Sequence, residues 1–115
     1  MIDKIIMDAL RPLDISVAKL YYGGKESTYI TFFSFLDNPE FYSDNELKKI
    51  GHYIQLDIFT KDDYSDLVIK IDELMENSGF IKRANGPEIY DENTGLYQKP
   101  LRFLFYLDKN IKEEN

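Results

Sequence analysis

Residues 50–59 read Ile-Gly-His-Tyr-Ile-Gln-Leu-Asp-Ile-Phe. Ile50, His52, Ile54, Leu56 and Ile58 fall on one side of the alternation, and Gly51, Tyr53, Gln55, Asp57 and Phe59 on the other. Successive side chains of a strand point to opposite faces, so this is a half-buried strand with one apolar and one mixed face. The alternation stops at Thr60-Lys61-Asp62-Asp63, and a helical pattern follows. This strand-to-helix unit limits the fold to one in which helices cover one side of a sheet.

The helix is predicted over residues 62–77. Tyr64, Leu67, Val68, Ile71, Leu74 and Met75 form its apolar stripe. Thr60, Asp62 and Asp63 offer capping oxygens at its start, and Gly79 stands where a C-cap glycine belongs. A first helix is expected over residues 1–10, with Ile2, Ile5, Ile6, Ala9 and Leu10 on its stripe and Pro12 ending it.

Residues 15–22 and 29–36 read as strands, and Gly23-Gly24 between them predicts an antiparallel hairpin. The second of these is apolar on both faces, so it meets a helix on one side and a second surface on the other. Residues 37–45 carry the loop signals Asn38-Pro39 and Ser43-Asp44, and are expected to be irregular. Phe41 and Tyr42 in that segment either fold back on the core or serve as contacts. The central strand is predicted over residues 47–59.

After the second helix, residues 80–84 open a fourth strand that resumes at 88–90. Asp91-Glu92-Asn93-Thr94-Gly95 is a turn. A fifth strand spans residues 96–107, with Leu101, Phe103, Phe105 and Leu107 on one face and Arg102, Leu104 and Tyr106 on the other. Pro100 within it predicts a sheet edge or a bulge. The expected fold is α+β: a mostly antiparallel sheet of about five strands with two helices on one face, in the order α-β-β-β-α-β-β. Residues 1–108 make a single domain, and 109–115 a charged flexible tail.

The 115 residues suit one modest core, and the net charge of -7 lacks the basic footprint of a nucleic-acid binder. With no cysteine, thiolate chemistry and Cys-based metal sites are excluded. No signal-peptide or membrane-span pattern is found, since Asp3, Lys4 and Asp8 interrupt the first apolar segment; a soluble cytoplasmic protein is expected.

The search for chemistry returns little. His52 is the only histidine, and a core or half-buried residue making one hydrogen bond accounts for it better than catalysis. The acidic pairs Asp62-Asp63, Asp72-Glu73, Asp91-Glu92 and Glu113-Glu114 fall at a helix start, a solvated helix face, a turn and a tail. Gly23-Gly24-Lys25 lacks the rest of a phosphate loop. No catalytic, cofactor-binding or metal residue is assigned, and the chain is expected not to be an enzyme.

Several segments are familiar in combination: Thr28-Tyr29-Ile30-Thr31-Phe32, Tyr42-Ser43-Asp44-Asn45-Glu46, residues 51–61, Gly79-Phe80 and Tyr90-Asp91-Glu92-Asn93-Thr94-Gly95-Leu96-Tyr97. The set resembles the tail-completion, or tail-terminator, proteins of long-tailed phages and of prophages in Gram-positive bacteria. The resemblance covers nearly the whole chain. It implies a non-enzymatic structural protein assembling as a ring, typically hexameric, at the head-proximal end of the tail tube. Its partners are then further copies of itself, the tail-tube protein and the head connector or stopper protein. DNA passes through the ring without specific binding, and the acidic balance suits a lumen lined by Asp and Glu. The expected location is the virion, at the head-tail joint, after assembly in the bacterial cytoplasm, with no membrane partner. A head-completion stopper and a small non-enzymatic binding module are the alternatives. Phe33, Phe35, Phe41, Tyr42, Tyr53, Gln55 and Phe59 are the expected interface residues.

Overall fold

The computed structural model describes residues 1–109. Its elements are α1 (Ile2–Leu10), a 3-10 turn (Arg11–Leu13), β1 (Ser16–Lys19), β2 (Tyr29–Ser43), β3 (Glu46–Thr60), α2 (Ser65–Asn77), β4 (Ile81–Asn85), β5 (Ile89–Asp91) and β6 (Leu96–Asp108). The protein is α+β, with two helices and a mostly antiparallel sheet of six strands. The strand order is β1-β2-β3-β6-β4, and β5 pairs β6 beside β4.

The alternation in β3 sets the layers. Ile54, Leu56 and Ile58 pack with Ile30 and Phe32 of β2 and Leu101, Phe103 and Leu107 of β6. Over them lie Ile2, Ile6, Ala9 and Leu10 of α1 and Ile71 and Met75 of α2. Both helices therefore cover the same face. Burying each such aliphatic side chain contributes roughly 1.5–3 kcal/mol, which is why the apolar stripes dictate the layering.

α2 follows its sequence signals. Asp63 accepts hydrogen bonds from the Ser65 backbone N–H at 2.9 Å and from its hydroxyl at 2.7 Å, and Thr60 accepts from the Asp62 N–H at 3.2 Å. The backbone bond first, and then the hydroxyl, hold the Asp63 carboxyl below the usual aspartate range. Gly79, at φ 97°, reverses the chain after the helix, and Phe80 drops into the core.

The expected fourth strand is two, β4 and β5, so the sheet has six strands where about five were expected, and three further expectations are corrected. The first two strands do not form a hairpin: β1 runs parallel to β2, with Ser16 opposite Tyr29 and Lys19 opposite Phe32. Leu20 takes a left-handed conformation (φ 65°), and the Tyr21 N–H bonds back to the Lys19 carbonyl at 2.7 Å. That tight turn throws the chain off the sheet edge, and residues 20–28 carry it back to the start level of β1. The double glycine belongs to this return and not to a strand reversal.

The second correction is residues 37–45, which are strand and turn rather than loop. β2 and β3 are each 15 residues long, and only Asp44 and Asn45 lie between them. Both have positive φ (52° and 63°), as the turn that matches strand twist requires. The loop signal Asn38-Pro39 falls where pairing slips, between Pro39 and Phe41. The hairpin gives the molecule its length, 53 Å against 24 Å across.

β6 is not an edge strand, and Pro100 sits inside the sheet. The Pro100 carbonyl accepts from the Gly86 N–H at 2.8 Å, so this residue's backbone polar groups face the gap between β4 and β5. Its missing N–H costs no ladder bond to β3 there. Lys109 donates its backbone N–H to the Lys48 carbonyl. The rest of the expected flexible tail, residues 110–115, lies outside the described residues.

Candidate functional site

The second face of the sheet carries no helix among the described residues. It is built from rows of cross-strand neighbours. One row runs Phe33, Gln55, Arg102; the next runs Leu36, Tyr53, Leu104, Ile81. A register shift between Ser34 and Leu36 inserts Phe35 as an extra residue. Its ring lies 6.5 Å from Phe33 and 6.1 Å from Tyr53, with the Arg102 guanidinium 5.5 Å away over it. Phe35 remains 44% exposed and Leu36 49% exposed.

A polar chain underlies these rings. Arg102 Nε donates to Gln55 Oε1 at 3.1 Å, and Gln55 Nε2 donates to both Asp57 carboxylate oxygens at 3.0 and 3.2 Å. Asp57 is buried, so Gln55 both satisfies the carboxylate and links it to Arg102. The Tyr53 hydroxyl donates to Glu40 Oε2 at 3.0 Å. Partial burial first, and then this bond, raise the Tyr53 hydroxyl above the usual tyrosine range. Glu40 reaches there across Gly51, where a Cβ would collide with its carboxylate. Glycine keeps that corridor open.

Toward the hairpin tip, the Phe41 ring packs edge-on against Tyr106 at 4.9 Å. At the opposite end, Tyr22, Tyr29 and Phe59 stack at 4.4 and 4.8 Å. Burial first, then the neighbouring Tyr22, Asp91 and Tyr21, raise the Tyr29 hydroxyl above its ordinary value.

Of the expected interface residues, Phe33, Phe35, Tyr53 and Gln55 come together as one cluster. Phe41 and Phe59 lie toward the two ends of the same sheet. Tyr42 stands apart, opposite Leu47 near the tip and 62% exposed. Leu36, Ile81, Arg102, Leu104 and Tyr106 complete the surface and were not among the expected residues. The alternation of β6 had already placed Arg102, Leu104 and Tyr106 on one face; only the pairing with β3 shows which face.

His52 lies on the helix side and is buried, with Nδ1 2.8 Å from Asp37 Oδ1. The bond ties β3 to the distal half of β2. A shallow cleft near the start of α2 is lined by Lys61, Asp62, Asp63, Tyr64, Ser65, Glu88 and Tyr97. Its polar groups engage one another: the Tyr64 hydroxyl donates to Glu88 at 2.5 Å, and Ser65 donates to Asp63. The Glu88 bond first, and then burial, push Tyr64 up to about 12. No group of three or more His, Asp or Glu among the described residues could hold a metal ion. No described helix is long and apolar enough to cross a membrane.

Comparison with protein-family models and with curated proteins finds no match to this chain.

Proposed function

We propose that this chain is a structural assembly protein that self-associates into a ring, in the manner of the phage tail terminators it resembles. The observation that carries this proposal is the helix-free face: Phe35, Leu36, Phe41 and Ile81 are each at least 44% exposed on a sheet otherwise closed by helices. Several large apolar side chains exposed on one helix-free face support an interaction site. Its composition fits protein contact: aromatic rings at the centre, one arginine stacked on a ring, and polar groups satisfied beneath. On this proposal the tail-tube protein and the head connector meet the two rims of the ring, and DNA passes through an acidic lumen.

Electron microscopy of particles lacking this protein tests the role. Overlong or headless tails support tail termination. Normal tails with incomplete joints assign the protein to the connector instead, as a stopper. Normal virions refute both.

A further inference from the structure

We infer that copies of this chain join edge to edge, with β4 of one copy adding to the free part of β2 of the next. The inference rests on the self-association proposed above and names its contact. β1 pairs only with Tyr29, Ile30, Thr31 and Phe32, and the Leu20 N–H takes the Phe32 carbonyl at 2.8 Å. The left-handed turn at Leu20 then removes the chain from the edge. From Phe33 onward, β2 has β3 on one side and no strand on the other among the described residues. β4 has β6 on one side and likewise no described strand on the other.

Two features make these two edges fit each other. The first is direction. β2 is antiparallel to β3, β3 to β6, and β6 to β4, so β2 and β4 run oppositely. Two copies side by side in the same orientation therefore bring β4 against β2 as an antiparallel pair.

The second is level and side-chain match. The row Leu36, Tyr53, Leu104, Ile81 crosses the whole sheet on the helix-free face, so Leu36 and Ile81 end it at opposite edges. Both are exposed, at 49% and 45%. Continuing the sheet sets Ile81 of one copy beside Leu36 of the next, aliphatic against aliphatic on one face.

In this register residues 81–84 of one copy lie against residues 33–36 of the next, the stretch that begins just past the last β1 partner, Phe32. Pro39 and the slip beside it limit the paired stretch, as protected edges do. The contact is head-to-tail, the type that closes into rings.

The natural absence of cysteine makes the test clean. Leu36→Cys and Ile81→Cys are placed singly in two preparations, which are mixed at assembly concentration and mildly oxidised. Within one chain the two sites are three strand spacings apart, roughly 14 Å, too far for an internal disulfide. The mixture is expected to form covalent heterodimer roughly tenfold faster than either preparation forms homodimer, because only the mixed pair brings Cβ atoms within disulfide reach. A chain carrying both substitutions is expected to give a ladder of multimers. Phe33→Cys with Ala84→Cys, the two ends of the neighbouring row Phe33, Gln55, Arg102, Ala84, serves as a second pair should the first disturb folding, as checked by circular dichroism. Homodimer from Leu36→Cys alone as the main product overturns the inference in favour of a two-fold contact. Rings in negative stain with no heterodimer overturn the edge contact while leaving the ring intact. A chain that stays monomeric and yields no heterodimer overturns the edge contact together with self-association of the free protein.

Discussion

Phe35→Ala separates the two faces of the sheet. Phe35 is 44% exposed and touches Phe33, Tyr53 and the Arg102 guanidinium on the helix-free side. Full burial of a phenylalanine makes its loss worth about 3–5 kcal/mol, but this ring is little more than half covered and leaves no enclosed cavity. The expected destabilisation of the monomer is about 1–1.5 kcal/mol, or a fall in Tm of roughly 4–6 °C for a domain of this size. Leu56 supplies the contrast. It is fully buried on the helix side between Phe32 and Leu101. Leu56→Ala is expected to cost about 4 kcal/mol and lower Tm by roughly 15 °C. Self-association reverses the ranking. Phe35→Ala at a contact is expected to cost a further ~2 kcal/mol per interface, about a 30-fold weaker association. Thermal melts at low concentration, paired with light scattering across a concentration series, read both quantities. A Phe35→Ala monomer as unstable as Leu56→Ala would refute the reasoning, as would a stable one whose association is unchanged.

The hairpin turn gives a prediction on stability alone. Asp44→Val places a β-branched residue at positive φ and is expected to cost about 1–2 kcal/mol, whereas Asp44→Asn with Asn45→Gly is expected to stabilise by up to ~1 kcal/mol. Urea titrations of the two variants must move the midpoint in opposite directions. The Tyr64–Glu88 bond gives a pH prediction. Folding raises the Tyr64 hydroxyl from 10.0 to about 12, so its contribution is fully present below pH 10 and is lost as pH rises through 12. Tyr64→Phe is expected to flatten that alkaline loss; equal slopes for both proteins in denaturant melts over this window would count against the bond.

Much of the layering was legible because periodicity reports burial. α2, β3 and β6 carry unbroken patterns, and Asp91 to Gly95 carries its own turn chemistry: Asp91 accepts from the Asn93 N–H, and Gly95 has φ 72°. Strand direction left no such trace. Gly23-Gly24 marks a change of course without saying whether the chain reverses or returns, and the decisive residue, Leu20, is of a type that rarely adopts positive φ. Residues 37–45 misled for a related reason. Asn38-Pro39 and Ser43-Asp44 are breaker signals, yet Pro39 is accommodated beside a slip in pairing and Asp44 belongs to a two-residue turn. The candidate face was legible one strand at a time. What brings Phe35 to Tyr53 and Arg102 is a register, and a register involves two strands at once.

The tight turn at Asp44 and Asn45 also fixes an order of events. Closing a two-residue loop needs little chain entropy, and hairpins of this kind form in about 1–10 μs. β6 must find β3 across the whole of α2, β4 and β5, a closure of far longer chain. The β2–β3 hairpin is thus the early structure and β6 the late one, so the edge of β3 stays open until β6 arrives. φ-values are expected to be high at the turn and low along β6; the opposite pattern would reverse the order. During synthesis the edge of β3 is exposed in addition to the β2 edge that stays open in the finished subunit, so the interval before β6 docks is when mispairing between nascent chains is most dangerous.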